Sequence, residues 1–332
     1  MEFTTGGRLE VRITPDDVGK RVSVRQFTDN PDGGEKFTDT VGVLTSWNDG
    51  VLSITRKSGE SVRVSESSLV AGKSVPAAPA RRRGPSAGFP ELARVTARAW
   101  QPVESEPLGE WELRAAAGFT RRANSVLPLG DPGRPLPEAL RHVREWYAAR
   151  DLPAYIQLAM GSEGTQELLA AELAEHGWSS EVSALVRIAA LAPIGDLDAD
   201  VSRVALSRAV DEAWLSRYKR FGTPGPEVLK VIGSGPSTWF ATVPAAEGGT
   251  PAAIGRCVVD GRWAGFMAIE VDPAARRQGL ATAVMAALAR RALEEGASAA
   301  WLQVEEDNSG ARALYDRMGF ETHHSYHHFR SL

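Results

Sequence analysis

Three groups of residues in this chain have types and spacings that could do chemistry. The first is Val271-Asp272-Pro273-Ala274-Ala275-Arg276-Arg277-Gln278-Gly279-Leu280-Ala281-Thr282, which ends an apolar strand pattern and opens a helical one. The first N–H groups of a helix have no intrahelical partner and lie at the positive end of the macrodipole, so this segment predicts a cradle for an anion such as phosphate. Gly279 lets the backbone come close and Ala281 adds little bulk, while Arg276 and Arg277 bring guanidinium forks shaped for a diphosphate. The second group runs from Asn308 through Ala311 to Tyr315. Asn308 can cap a helix and keep its amide for a ligand, and Tyr315, close to two turns on, lies on the same side. The third is His323-His324-Ser325-Tyr326-His327-His328. On one strand His324 and His328 stand about 13 Å apart, too far to share an ion bound at about 2 Å from each. No metal is expected.

These groups need elements to position them. Short alternating apolar stretches at 22–25, 41–44, 51–54 and 62–64 are separated by turns at Asn30-Pro31-Asp32-Gly33-Gly34, Asn48-Asp49-Gly50 and Lys57-Ser58-Gly59. They predict a small all-β unit over 1–75, a partly open barrel of the SH3-like kind. Residues 76–89, with Arg81, Arg82 and Arg83 among prolines and glycines, read as a linker. Beyond it a helix, strand, helix, Gly-aromatic, strand series occurs twice. Its first copy covers helix 139–147, strand 154–158, helix 167–176, Gly177-Trp178 and strand 182–188. The second covers helix 286–295, strand 300–304, helix 311–318, Gly319-Phe320 and a strand ending at Phe329. The repeat predicts two related domains, 90–192 and 193–332, connected through 191–196. Upstream, the second copy adds a strand at 201–206, helices at 211–220 and 226–232, and a meander at 237–243, 252–259 and 263–271. Its predicted order is β-α-α-β-β-β-α-β-α-β-β, an α/β (α+β) architecture of tandem mixed-sheet domains behind a β-barrel.

Composition narrows the function classes. At 332 residues two or three cores fit. A formal charge of -4 disfavours bulk affinity for nucleic acid or an anionic membrane. Cys257 is the only cysteine, so no intrachain disulfide forms. The first eleven residues do not have a signal-peptide pattern, and no run approaches the about 20 apolar residues of a membrane span. A soluble, cytoplasmic, bacterial protein is expected.

On Arg276, Gly279 and Ala281, followed by Asn308, Ala311, Leu314, Tyr315, Gly319 and Phe320, residues 201–332 resemble the GNAT superfamily of acyl-CoA-dependent N-acyltransferases. The first set matches the family's Arg/Gln-x-x-Gly-x-Gly/Ala signature, and the second its Asn-x-x-Ala-x-x-Leu-Tyr-x-x-x-Gly-Phe pattern. With a tandem copy and a leading barrel, the plan is similar to an actinobacterial barrel-plus-tandem acetyltransferase type. The resemblance implies acetyl-CoA between the strands 266–271 and 300–304. Ile269 and Val271 would hold thioester and pantetheine, and Asn308 the pantetheine arm. Arg276 and the amides of Arg277, Gln278, Gly279, Ala281 and Thr282 would hold the pyrophosphate, with Ala311 in the matched helix. It also implies attack by a small-molecule, peptide or protein amine on the thioester. Tyr315 would protonate the leaving thiolate, because a free phenol pKa of about 10 lies near that of an alkyl thiol.

The general base stays open between Glu270, Glu305, Glu306, His324, His328 and water held by a backbone carbonyl. Some members have a carboxylate earlier on the strand, where this chain has Gly265 and Phe266. Where the first copy should open its cradle it has Leu127-Pro128-Leu129-Gly130-Asp131-Pro132-Gly133-Arg134-Pro135-Leu136-Pro137, whose prolines remove amide donors. That half is expected to be degenerate, either structural or substrate-gating. Trp214, Tyr218 and Phe221 are candidates for the acceptor wall, with core packing the alternative, and Cys257 is expected to be a buried, inert thiol. The alternative to an enzyme is a catalytically silent acyl-CoA-responsive or peptide-binding scaffold. Acceptor identity and oligomeric state are not encoded in any of these features.

Overall fold

The computed structural model describes residues 10–27, 37–56, 58–75, 84–218, 224–246 and 248–331. By its contacts the chain forms two units, one of Met1–Ala80 with Leu158–Trp178, the other of Arg81–Gln157 with Ser179–Leu332.

In the first unit, β1 (Arg21–Phe27), β2 (Phe37–Asn48), β3 (Val51–Thr55), β4 (Ser61–Ser65) and β5 (Leu69–Ser74) form an antiparallel sheet in the order β4-β3-β2-β1-β5. Alternation sends Val22, Val24, Leu44, Leu52, Ile54 and Val64 into its core. Asp49 and Gly50 both take positive φ, 51° and 73°, as a two-residue hairpin turn requires. The strand β5 was not legible as a strand, because its sequence Leu-Val-Ala-Gly-Lys-Ser lacks alternation. The predicted turn at Asn30–Gly34, Lys57 and the Arg81–Arg83 triplet lie outside the described residues.

The second unit begins with α1 (Phe89–Arg98), then the three-stranded sheet β6 (Glu104–Leu108), β7 (Trp111–Ala115) and β8 (Leu127–Pro128). There follow α2 (Leu136–Ala148) and β9 (Tyr155–Met160), then α3 (Glu167–Glu175), which belongs to the first unit, and β10 (Trp178–Ala190). The second repeat copy comprises α4 (Ala192–Gly195), β11 (Ala205–Ser207), α5 (Glu212–Arg217), α6 (Pro226–Gly233), β12 (Ser237–Val243), β13 (Ala253–Asp260), β14 (Trp263–Val271), α7 (Leu280–Glu294), β15 (Ala299–Glu305), α8 (Ser309–Arg317) and β16 (Glu321–Ser331). Three expectations need correction. The 201–206 strand is a short 3-10 turn at Val201–Arg203 followed by β11, and the 211–220 helix is described only as the six residues of α5. A single strand, β16, follows α8 where two were expected. The connection 191–196 is a helical turn that buries Leu191 and Ile194 completely.

One eight-stranded sheet runs in the order β11-β12-β13-β14-β15-β10-β16-β9. The first copy's last strand, β10, pairs antiparallel with β15 from Ala184↔Glu305 to Ala190↔Ala299, and β16 lies between β10 and β9. The copies have thus exchanged their last strands and share one sheet.

Helix α7 covers one face, burying Leu280, Val284, Met285, Leu288, Ala289 and Ala292 against Cys257, Phe266, Leu302 and Val304. Ala281, at the N-terminal end of this stripe, is half-buried. At Gly255 an added Cβ would lie 2.5 Å from Val284 and 2.9 Å from Ile269, so the missing side chain lets α7 sit close. Helix α1 covers the opposite face, where Leu92, Val95 and Trp100 pack with Val258, Trp263, Met267 and Trp301. Arg262 and the Trp263 indole both bond Glu91 of α1, at 2.8 Å. The end of the expected linker is also tied down, since Arg262 donates to the Ser86 carbonyl and the Ala87 carbonyl contacts His323.

Candidate active site

The parallel ladder between β14 and β15 runs from Trp263↔Ala299 to Phe266↔Leu302 and then stops. Each strand continues, β14 to Val271 and β15 to Glu305, held on its outer side by β13 and β10. Their inner edges therefore leave N–H and C=O groups without ladder partners, forming a wedge that an extended ligand bearing amides can fill. The cause is a bulge. Ala268 takes φ 52°, and the β13–β14 register shifts between Ile254 and Arg256. A left-handed alanine turns the strand away from its neighbour at a cost of about 1–2 kcal/mol. From Ala268 onward β14 is only half-buried, in contrast to the buried run before it.

The cradle stands at the end of this wedge. Asp272 caps a short 3-10 turn, Pro273–Ala275, by accepting from the Ala274 N–H at 2.8 Å, and is itself ion-paired to Arg217 at the end of α5. Arg276, Arg277, Gln278 and Gly279 follow as exposed loop, so the helix opens later than the sequence implied. Arg277 (φ 61°) and Gly279 (φ 75°) are left-handed. Helix α7 has no capping side chain and no acid in its first turn. By contrast, α1, α2, α3, α5 and α6 each have a glutamate there. The N-terminus of α7 thus keeps its amides and its positive field.

Asn308 caps α8 as expected, its Oδ1 accepting from the Ala311 N–H at 3.1 Å. Tyr315 is 8 % exposed and stacks edge-on against Phe320, with ring centroids 5.8 Å apart. Burial pushes its phenol up to about 12, with Arg187 pulling slightly the other way, so it remains protonated at any ordinary pH. Its helix is anchored by a residue that sequence reasoning missed. Arg187, on β10 and buried, donates to the Asp316 carboxylate at 2.5 Å, to the Arg312 carbonyl at 3.3 Å and to the Phe320 carbonyl. A lone arginine inside the apolar run Ala184-Leu185-Val186-Arg187-Ile188 was the available signal.

The base candidates do not gather at one point. Glu270 faces Ile254 across the β13–β14 ladder, which places it on the side of the Trp214, Tyr218 and Phe240 cluster. Val271 and Ile269 pack on the α7 side with Tyr315. Glu270 and Tyr315 therefore approach the wedge from opposite faces of the sheet. At Gly265 an added Cβ would lie 2.3 Å from the Trp301 ring, so the strand position where a carboxylate was considered has no room for any side chain. Glu305 and Glu306 follow at the open end of β15. His324 and His328 are both buried on β16, away from the open surface, and burial beside Arg122, Arg121 and Arg114 holds His328 well below the ordinary imidazole range. Among the described residues no cluster of three potential metal ligands occurs.

Trp214 is core: it is 1 % exposed and donates from Nε1 to the Gly255 carbonyl at 3.1 Å. Tyr218 is buried against it, and Phe221 lies outside the described residues. Cys257 is buried beside Phe266 and Val284, and burial pushes its thiol far up.

The corresponding loop of the first copy is filled by its own chain. Glu110 accepts from the Asp131 N–H at 2.8 Å, its carbonyl takes the Leu129 N–H at 3.3 Å, and the Asp131 carboxylate takes the Gly133 N–H at 2.6 Å. Pro128, Pro132, Pro135 and Pro137 offer no donor.

Residues 88–329 match the family described as the C-terminal region of the probable histone acetyltransferase Rv0428c. The chain is 27% identical over 316 residues to the probable histone acetyltransferase Rv0428c of Mycobacterium tuberculosis, covering 92% of this chain and 93% of that one. Among solved structures, it resembles a GCN5-related N-acetyltransferase from Kribbella flavida with a TM-score of 0.53 and 19% identity, covering 74% and 96% of the two chains. It also resembles a tandem GNAT protein from the clavulanic acid biosynthesis pathway, with a TM-score of 0.53 and 14% identity, covering 77% and 91%. No helix among the described residues is long and apolar enough to cross a membrane.

Proposed function

The chain belongs to the family of the probable histone acetyltransferase Rv0428c C-terminal region and is a GNAT-type acyltransferase; from that premise we propose that it moves the acetyl group of acetyl-CoA to a primary amine by direct attack. The observation that carries this reading is the wedge between β14 and β15, open where an uncapped helix N-terminus and a protonated tyrosine flank it.

In this reading pantetheine lies along the inner edge of β14, pairing with backbone groups at Ile269 and Val271, and the Asn308 amide holds its arm. The pyrophosphate sits on the amides of Arg277, Gln278, Gly279, Ala281 and Thr282, with Arg276 at the rim and Ala311 lining the groove. The neutral amine attacks the thioester carbon and forms a C–N bond, and the inner-edge amides of β14 receive the oxyanion. The C–S bond then breaks, and the thiolate takes the Tyr315 proton. The same enclosure that raises the phenol raises the thiol, which keeps the transfer balanced. The proton shed by the amine leaves through Glu270 or water and restores Tyr315.

Residues 1–75 are taken as a barrel, 76–89 as its linker, 90–192 as a half that has lost its cofactor site, and 193–332 as the catalytic half, working in the cytoplasm. The acceptor is a small-molecule, peptide or protein amine, and nucleic acid and membrane have no place in the scheme. The reading is tested by CoA release from acetyl-CoA over a panel of amines and peptides. Amine-dependent release that Tyr315→Phe suppresses is expected; acetyl-CoA binding with no turnover on any acceptor would count against catalysis.

A further inference from the structure

A pocket opens on the α1 face of the shared sheet, lined by Trp100, Arg114, Arg122, Gln157 and Gln303, with Thr96 at its side. Its contents are unusual for a packed interface. Arg114 is 1 % exposed and donates only to the Ser125 carbonyl at 2.9 Å, the Ser125 hydroxyl at 3.1 Å and Gln157 at 3.5 Å. Arg122 lies over the Trp100 ring at 5.8 Å and the Tyr326 ring at 5.9 Å, and its Nε is enclosed without a partner. Arg256, fully buried on β13, covers the Trp100 ring at 4.8 Å and bonds only carbonyls and the Met267 sulfur. Among the described residues none of these three guanidiniums has a carboxylate within ion-pair distance.

Buried cations without counter-charge are costly, and so are orphaned donors. Here they are concentrated. The Trp100 Nε1 donor, 4 % exposed, and the Gln303 Oε1 acceptor are also enclosed and unpartnered. Two unpartnered donors, Arg122 Nε and Trp100 Nε1, and one unpartnered acceptor therefore belong to residues that line one opening, the complement of an oxyanion with an N–H group nearby. The pocket's position connects it to the reaction. Gln303 directly follows Leu302, the last residue of β15 paired to β14, so it stands where the wedge begins. Trp301 packs with the α1 face and Leu302 with the α7 face, so alternation puts Gln303 on the face opposite Tyr315, the face that Glu270 also takes.

We propose that this pocket seats the carboxylate of the acceptor, so that the substrate class is an amine carrying a carboxylate, with Gln303 Oε1 accepting a hydrogen bond from its nitrogen. This rests on the acetyl-transfer reading above. A carboxylate fits the guanidinium forks edge to edge. The room is about that of one water molecule, which suits the end of a ligand whose remainder lies in the wedge.

The test uses the full chain with acetyl-CoA and the ω-amino acids from glycine to 6-aminohexanoate, each beside the alkylamine of the same length, plus O-phosphoethanolamine beside ethanolamine. At least one amino acid is expected to exceed its alkylamine about tenfold in kcat/KM. Arg122→Gln should erase that gap by raising KM for the carboxylate partner alone, and Arg122→Lys should restore part of it. Equal rates within every pair, a preference for the phosphate, or an Arg122→Gln effect on both partners alike would overturn the assignment. If no amine turns over, acetyl transfer fails, and calorimetry of the same pairs with CoA present decides the pocket separately. Heat from an amino acid but not its alkylamine supports it; no difference overturns it.

Discussion

The loop after β14 and the loop after β8 hold equivalent places in two copies of one repeat, yet their backbone donors have opposite fates. After β14 the N–H groups at the start of α7 face solvent, with two arginines beside them and no acid in the first turn. After β8 the donors are bonded by Glu110 and Asp131 or replaced by prolines, and α2 opens with Pro135, Pro137 and Glu138. A helix N-terminus binds an anion only if nothing of its own chain has bound it first. On the proposed reading, in which the first half has no cofactor site, that difference needs no change of fold. The first copy retains another role, since its strand β10 supports β15 and its Arg187 holds the helix that carries Tyr315.

The contrast is broken most severely by Gly279→Val. A branched side chain at φ 75° is strained and stands in the space beside the amides, so acetyl-CoA affinity should fall at least 100-fold by calorimetry. Asp131→Ala, in the first copy's loop, should leave that affinity within about twofold; a comparable loss there would give the first half a cofactor role. Next in size, Tyr315→Phe should lower kcat by about 10² while the affinity for acetyl-CoA stays nearly constant. Because burial keeps this phenol protonated up to about pH 12, wild-type kcat should show no falling limb from it between pH 7 and 10. A tyrosine-dependent fall in that window would remove it as the acid.

Arg187→Met tests the support that one copy gives the other. Leaving two carbonyls without their donor should cost about 1–3 kcal/mol in urea unfolding, and kcat should fall more than acetyl-CoA affinity as α8 loosens. The smallest effect concerns the shared sheet. His328 is buried with neither ring nitrogen partnered, and its pKa is depressed. Below about pH 6.5 the unfolded chain takes up a proton that the folded chain refuses, so this stability is present at neutral pH and lost as the pH falls. The loss should grow steadily as the pH falls from 7 to 5. His328→Leu should flatten the fall in thermal midpoint over that range.

Much of the second copy was legible in the sequence because its signals are local. The apolar run at 263–271 predicted β14 to the residue, and the Gly319-Phe320 pair followed the predicted 311–318 helix, with Gly319 left-handed in the structure. Asn308 was identified as a cap from its type and place alone. What could not be seen depends on partners distant in the chain. An apolar run such as 182–190 does not say which strand it will join, so the exchange of β10 and β16 was hidden. Ala268 has no sequence tendency toward positive φ, so the bulge that opens the wedge gave no sign. The arginine pocket draws on residues between Ala93 and Gln303, too far apart in the chain for any local pattern to announce it.

The account's central claim is that one copy binds the cofactor and the other does not, and titration calorimetry of acetyl-CoA into the full chain tests it most directly. It should give one site per chain, absent in Gly279→Val and unchanged in Asp131→Ala. Two sites per chain, or one site that survives Gly279→Val in a folded protein, would contradict it.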